Sequence, residues 1–469
     1  MVVPHHAGRR VIVLGLARGG LAAARALAAG GADVGVWDDA AANRDAARRA
    51  GYGLADPATE DWRRVAALVM SPGVPLTHPA PHPAVVAARA AGVTITGDIA
   101  LLLRAEPEAT FCAVTGTNGK STTTALIGHV LKQAGRRVAV GGNLGIAALD
   151  LPPLGAGGVY VLELSSFQLD LVEDPGFAVA LLLNIAPDHL DRHGTMEGYV
   201  AAKRRIFAGQ GAGDTAVVGV DDAAAAAIAH GLRAEGARRV VTISGGDDAT
   251  AEVRVAAGTL IDAIDGASAP VLDLALAATL PGRHNAQNAA ACFAACRALG
   301  VARETIAAAL PGYPGLPHRQ ELVAVIDGVA YVNDSKATNA DAAARALACY
   351  DAVYWIAGGV AKAGGITALA PLFPRVAHAF LIGAAAPAFA ATLDGRVPHT
   401  MAGDLAHALR MARERATAER RPGAVVLLSP ACASFDQFRD FEERGDRFRS
   451  LAAALPGRRV LLAPAETAA

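Results

Sequence analysis

Short apolar runs alternate with Ala- and Leu-rich stretches of helical length along almost the whole chain. Runs at 11–16, 33–37 and 67–70 each end in a loop of Gly, Asp or Ser. The design recurs at 110–114, 159–162 and 178–183, and again at 321–326, 329–333, 353–357, 379–382 and 425–429. Near-continuous apolar strands of this length, separated by helices, predict parallel sheets covered on both faces. The expected class is α/β, in three domains at 1–98, 99–314 and 315–469. The first unit closes near 97–99, and the Pro/Gly-rich stretch 311–317 reads as a linker. Residues 245–270, acidic and rich in Ala and Gly, read as a surface hairpin or loop.

Composition narrows the classes. Hydrophobic residues make up 53% of the 469, yet aromatics only 5%, which suits helices lying close on sheets. The formal net charge of −1 gives no basic excess for nucleic acid, so phosphate binding must come from locally placed N–H groups and a few cations. The apolar run after Arg9-Arg10 is too short for a secretion signal, and none reaches the roughly 18–20 residues of a membrane span. Neither a nucleic acid nor a membrane is an expected partner, and the chain is expected to act as a monomer. Cys112, Cys292, Cys296, Cys349 and Cys432 are odd in number and lack zinc spacing. Cys292 and Cys296, one helical turn apart, read as core fillers. A reducing cytoplasm is the expected compartment.

Candidate chemistry begins with the loop after 11–16. Gly15, Ala17 and Gly20 stand in register with a dinucleotide fingerprint whose second glycine is missing. With Asp38 and Asp39 past the next strand, this Rossmann-like opening suits a nucleotide diphosphate and its ribose. Ordinary turn glycines account for it equally well. Thr115 to Thr122 carry the stronger signal: strand, then Gly116-Thr117-Asn118-Gly119-Lys120-Ser121-Thr122, then helix. Glycines let backbone N–H groups face phosphate, Lys120 reaches the β- and γ-phosphates, and the Ser121 hydroxyl suits Mg²⁺. The central unit is thus a P-loop domain of ATPase type. Its spacing is short, with Val114 where the usual first glycine stands.

Other polar loops follow strands. Glu163 ends 159–162 where a metal-ordering carboxylate belongs, although a solvent-facing charge is the plainer reading. Asn184, Asp188, His189, Asp191 and His193 form a cluster that suits metal and nucleotide, or simply caps and turns. Lys203, by composition alone, is a solvated cation. Gly282-Arg283-His284-Asn285 opens a helix, as a nucleotide contact or as a cap. In the last, again Rossmann-like, unit three polar loops follow strands, at 334–339, 358–365 and 429–438. With Lys336, Lys362, Thr338 and Ser434 they suggest a site for an anionic small molecule.

In this order the motifs resemble the Mur ligase family, which also includes folylpolyglutamate synthases, over nearly the whole chain. The shared pattern is Thr-Gly-Thr-Asn-Gly-Lys-Ser, a Glu-x-Ser-Ser strand end, Asn-x-x-x-Asp-His, a Lys on the following helix, and Gly-Arg-His-Asn. Within the family, the loops at 334–339 and 429–438 look like those of D-glutamate-adding members. The resemblance implies an ATP-dependent ligase of cell-wall (peptidoglycan) precursor synthesis. It would join D-glutamate to UDP-N-acetylmuramoyl-L-alanine through an acyl phosphate. It implies ATP on Gly116 to Thr122, Asn288, Arg319 and Asp334, and two Mg²⁺ ions on Ser121, Glu163, His189 and a carbamylated Lys203. Lys120, His189 and Lys203 would be the catalytic groups. Leu16, Asp38, Asp39, Ser71, Gly73, Asn143 and Ser165 would lie along the UDP-sugar, and Thr338, Lys362, Ser434, Phe435 and Phe441 along D-glutamate. The chain departs from the family at Ala17-Arg18, in a loop often richer in Gly and Ser. It departs again at Val360, where an acid commonly follows the glycines.

Three other classes compete. A folate-type ligase shares the ATP chemistry, but the UDP-like first unit and Ser429-Pro-Ala-Cys-Ala-Ser disfavour it. A nucleotide switch would need neither Lys203 nor the last-unit loops. A nicotinamide dehydrogenase would have no use for Lys120.

Overall fold

The computed structural model describes residues 1–362 and 364–460. The chain divides into two compact units, Met1–Leu276 with Asn285–Pro311 and Ala277–His284 with Gly312–Ala469. The fold is α/β, built on three mostly parallel sheets.

The first unit holds two of them. In the five-stranded sheet Gly53–Leu54, Asp33–Trp37, Arg10–Leu14, Val65–Met70 and Thr94–Thr96 lie side by side, all parallel. The chain winds outward both ways from Arg10–Leu14, which creates a crevice at the C-terminal ends of the central strands.

The nine-stranded sheet runs Ala269–Asp273, Thr259–Asp262, Val253–Ala256, Arg239–Ile243, Thr215–Gly219, Val179–Leu182, Thr110–Thr115, Val159–Glu163, Val138–Gly142. It is parallel except at one end, where Thr259–Asp262 pairs antiparallel with both neighbours. The stretch read as a hairpin or loop is therefore an antiparallel extension of the sheet. The helix Arg283–Ala298 buries every residue from Asn285 to Cys296, a packing open to it because half of them are Ala. Cys292 and Cys296 face each other there, with sulfurs 4.0 Å apart.

The second unit holds the third sheet: His399–Gly403, Val376–Ile382, Ala352–Gly358, Ala424–Leu428, Val329–Asn333, Glu321–Ile326 and Arg459–Val460. Only Glu321–Ile326 runs antiparallel to its neighbours. Among the described residues, no helix is long and apolar enough to cross a membrane.

Candidate functional site

The strand Thr110–Thr115 lies between Val179–Leu182 and Val159–Glu163, so three strand ends open onto one place. From it the chain turns through Gly116–Gly119 into the helix Lys120–Gln133. Gly119 has φ +84, and a Cβ there would lie 2.3 Å from Asn288 Oδ1. Asn184, just past the neighbouring strand, shapes the turn: its carbonyl accepts from Thr117 N and its Oδ1 from Asn118 N, both at 2.9 Å. Lys120 folds over the loop, donating at 3.0 Å to Gly116 O and Thr117 O. Ser121 sits in the first helical turn, with Thr122 beside it, where backbone N–H groups point out of the helix end.

Glu163 is 3% exposed at the end of its strand. Oε1 accepts from Asn143 Nδ2 at 2.7 Å, while Oε2 has no hydrogen-bond partner. A buried, half-satisfied carboxylate is costly unless something electropositive completes it.

Lys203 overturns its reading as a solvated cation. The helix Met196–Arg204 turns it inward, and it is 2% exposed. Nζ donates to Gly116 O at 2.8 Å and to Thr115 Oγ1 at 3.4 Å, and lies 4.8 Å from the centre of the Tyr199 ring. Burial first, then the charge of Lys120, push its amine well below the usual lysine range, against the opposing pull of Asp188 and Glu163. Composition misled because Lys-Arg-Arg ends an exposed-looking helix; the neighbouring P-loop strand supplies the cover. His189 has φ +52, sits 3.5 Å from Asp188 Oδ2, is half-exposed, and meets Phe167 edge-on at 5.0 Å.

On the five-stranded sheet, Leu16 N donates to Asp38 Oδ2 at 2.6 Å and Ser71 Oγ to Gly15 O at 2.7 Å. Gly20 has no room for a side chain, since its Cβ would fall 1.8 Å from Gly15 O. Close packing of helix on strand thus accounts for Gly20, while Gly15 turns the chain at φ +86 beside Ser71. Asp39 pairs with His82 at 3.2 Å, and Gly73 follows Ser71 in the loop past Val65–Met70. Ser165 caps its short helix, accepting from Gln168 N at 3.2 Å.

In the second unit, Val360–Ala361 pairs with Cys432–Ala433, which draws the loops of Lys362 and Ser434 together. Arg444, 1% exposed, donates to Ser335 O at 2.8 Å and to Cys432 O at 3.1 Å, and so ties a third loop to them. Ser335 Oγ donates to Phe441 O at 2.8 Å, and Lys336 Nζ lies 3.7 Å from the Phe441 ring centre. Thr338 is half-buried on the first of these loops; Lys362 is exposed, Ser434 buried, and Phe435 is 74% exposed. Arg319 precedes Gln320, whose N–H donates to Asp334 at 3.1 Å.

Asp334 also accepts from Ser429 Oγ at 2.7 Å, yet burial outweighs these bonds and raises its carboxyl to about 7. Between the unfolded value near 3.8 and about 7, the folded chain holds a proton that the unfolded chain has released. Stability therefore falls as pH rises through that window, by up to about 1.4 kcal/mol per pH unit. Asp334→Asn is expected to flatten this part of the slope. Urea unfolding midpoints at a series of pH values between about 5 and about 7 check it; a slope equal to wild type would refute the assignment.

Sequence reasoning placed Asn184 only within a loop cluster and passed over Tyr199, Arg192 and Arg444. Asn184 had a signal, a polar residue immediately past the strand beside the P-loop strand. The others had none.

Comparison with known proteins agrees with this geometry. The Mur ligase middle domain matches residues 114–296. The UDP-N-acetylmuramoylalanine--D-glutamate ligase of Phenylobacterium zucineum is 55% identical over 449 residues, covering 94% of this chain and 96% of that one. The protein of the same name from Rhodospirillum rubrum is 52% identical over 464 residues, covering 98% and 97%. Among solved structures, UDP-N-acetylmuramate-alanine ligase from Thermotoga maritima shares the fold, with a TM-score of 0.57 over 95% of this chain and 99% of that one at 18% identity. The chain belongs to the Mur ligase family.

Proposed function

We propose that this protein joins D-glutamate to UDP-N-acetylmuramoyl-L-alanine at the expense of ATP, in the cytoplasm and as a monomer. Relatives 50–55% identical are UDP-N-acetylmuramoylalanine--D-glutamate ligases by name, which supports the substrate pair. The observation that carries the chemistry is Lys203: a buried amine with depressed basicity, 2.8 Å from a P-loop carbonyl. A neutral amine adds CO₂, forming an N–C bond and losing a proton, and so becomes an anionic oxygen donor. Such a donor suits a cation better than an ammonium does.

The residues fit magnesium. Glu163 Oε2 lacks a partner, and Ser121 stands at the helix start. Among the described residues, no three His, Cys, Asp or Glu side chains gather to hold a metal, so phosphate and water oxygens would complete each shell. Ser121 and Glu163 would hold one ion, His189 and carbamylated Lys203 a second; when bound they neutralise phosphate charge.

The reaction follows from carboxylate chemistry. The terminal alanine carboxylate is a poor electrophile. Its oxygen attacks the γ-phosphorus, the bond to the β-bridging oxygen breaks, and ADP leaves. The D-glutamate amine then attacks the acyl phosphate, loses a proton, and expels phosphate. Lys120 and the amides of Gly116 to Thr122 would hold the transferring phosphoryl group. Asn288, Arg319 and Asp334 would bind the rest of ATP. Leu16, Asp38, Asp39, Ser71, Gly73, Asn143 and Ser165 would line the UDP-sugar site, and Thr338, Lys362, Ser434, Phe435 and Phe441 the D-glutamate site. Most of the UDP-sugar residues thus fall in 1–98, most of the ATP residues in 99–314, and all of the D-glutamate residues in 315–469.

Phosphate release from ATP with UDP-N-acetylmuramoyl-L-alanine tests this, with D-glutamate set against L-glutamate, D-alanine and meso-diaminopimelate. We expect release with D-glutamate alone and a product heavier by one glutamyl residue. Release with another amino acid would overturn the acceptor. No release from folded, ATP-binding protein would overturn the ligase.

A further inference from the structure

Two loops from two different sheets of the first unit are joined by one side chain. The helical turn Leu190–His193 follows directly from His189. Its Arg192 reaches across to the loop past Val65–Met70. Nη1 donates to Gly73 O at 2.9 Å, and Nη2 to Val74 O at 3.1 Å and Pro72 O at 3.4 Å. Three successive carbonyls therefore converge on one guanidinium.

The fork is held in place from behind. Its Cζ lies 4.5 Å from the centre of the Phe167 ring. Phe167 stacks on His193 at 5.3 Å with an interplanar angle of 18°, and His193 Nε2 lies 2.9 Å from Ser166 Oγ. Pro72, Val74 and Leu76 line one small cleft together with Phe167, Leu171 and Arg192. A solvated arginine on a polar loop would have neither the ring beneath it nor three carbonyls in reach. A planar, rigid fork makes this set of bonds; an ammonium on a flexible stem does not reproduce it.

We infer that Arg192 is a positioning residue, locking the loop of Ser71 and Gly73 to the loop of His189. This rests on the ligase reading, in which Ser71 and Gly73 hold the UDP-sugar and His189 stands by the transferring phosphoryl group. The lock sets the span between the sugar-nucleotide anchor and the place where its carboxylate reacts. Small errors in such a span are expensive to rate and to productive binding. Arg192 spends its Nη donors on carbonyls, so it acts through the loop rather than on substrate.

The test is steady-state kinetics with each substrate varied in turn, on wild type, Arg192→Met and Arg192→Lys. For Arg192→Met we expect KM for the UDP-precursor to rise about tenfold or more, with KM for ATP and D-glutamate within about twofold. Arg192→Lys should recover part of the loss, because a single ammonium can still reach one carbonyl. An unchanged KM for the UDP-precursor would overturn the inference. So would an equal rise in all three KM values with a lowered melting temperature, the mark of a merely structural role. Should Arg192→Met not fold, Phe167→Leu takes its place: it removes the ring under the fork, and we expect the same split at about threefold. Equal shifts in all three constants there would overturn the inference. An inactive wild type defeats the ligase reading; an active wild type with an unaffected Arg192→Met defeats the lock alone.

Discussion

Lys203→Met is expected to lower ligase turnover by about 10²–10³-fold, the usual size of losing one preorganised electrostatic group from a phosphoryl-transfer site. The fold should survive. Methionine has a similar length and no charge, and it fills a site that is 2% exposed and lined by the Tyr199 ring. Removing a buried amine whose protonated form is disfavoured takes away a cost rather than a support. Phosphate release measured beside a thermal melt separates the two effects. Wild type incubated with ¹³C-bicarbonate should also give a carbamate carbon signal that Lys203→Met lacks. Activity within about tenfold of wild type in a well-folded Lys203→Met would sink the role assigned to this lysine.

Gly119→Ala should be nearly as damaging, by a different route. The position has φ +84, which costs an L-residue about 1–2 kcal/mol. The new methyl would lie 2.3 Å from Asn288 Oδ1. Asn288 has little freedom to retreat, since Oδ1 accepts from Thr123 Oγ1 at 3.1 Å and Nδ2 donates to Asn285 Oδ1 at 3.0 Å. Displacing it forfeits buried hydrogen bonds worth about 1 kcal/mol each. We expect about 2–4 kcal/mol of lost stability and at least about tenfold weaker ATP binding. A double-mutant cycle makes this specific. Asn288→Ala clears the obstructing carboxamide, so Gly119→Ala should cost less stability in that background. Strict additivity would show that the contact is not the cause.

The strands were readable because a buried parallel strand is apolar along its whole length, and 110–114 and 329–333 left little choice. The phosphate loop was readable because its residues act locally, through backbone. What escaped depends on contacts distant in sequence. Lys203 becomes buried against Thr115 and Gly116, and Asp334 against Ser429. Arg192 finds its acceptors about 120 positions earlier in the chain. Neither periodicity nor composition carries such pairings; family resemblance singled out Lys203 and Asp334 but not the contacts that bury them, and it passed over Arg192. The antiparallel strands from Val253 to Asp273 were blurred for another reason: the first two bury only alternate residues and the outermost buries none fully, so the continuous apolar signal of a parallel strand is missing.

The path of the chain through the first unit also bears on the order in which it can be made. Residues Asn285–Pro311 belong to that unit although Ala277–His284 belong to the other. They include the helix face that is buried from Asn285 to Cys296. A nascent chain that has emerged as far as Asp273 has every strand of the nine-stranded sheet but lacks the helix that covers part of it. Until roughly forty more residues emerge, a few seconds at ordinary synthesis rates, that apolar ground stays open to solvent and to other chains. A fragment ending near 276 is frozen in that state, and is the piece of this protein to expect in inclusion bodies rather than in solution.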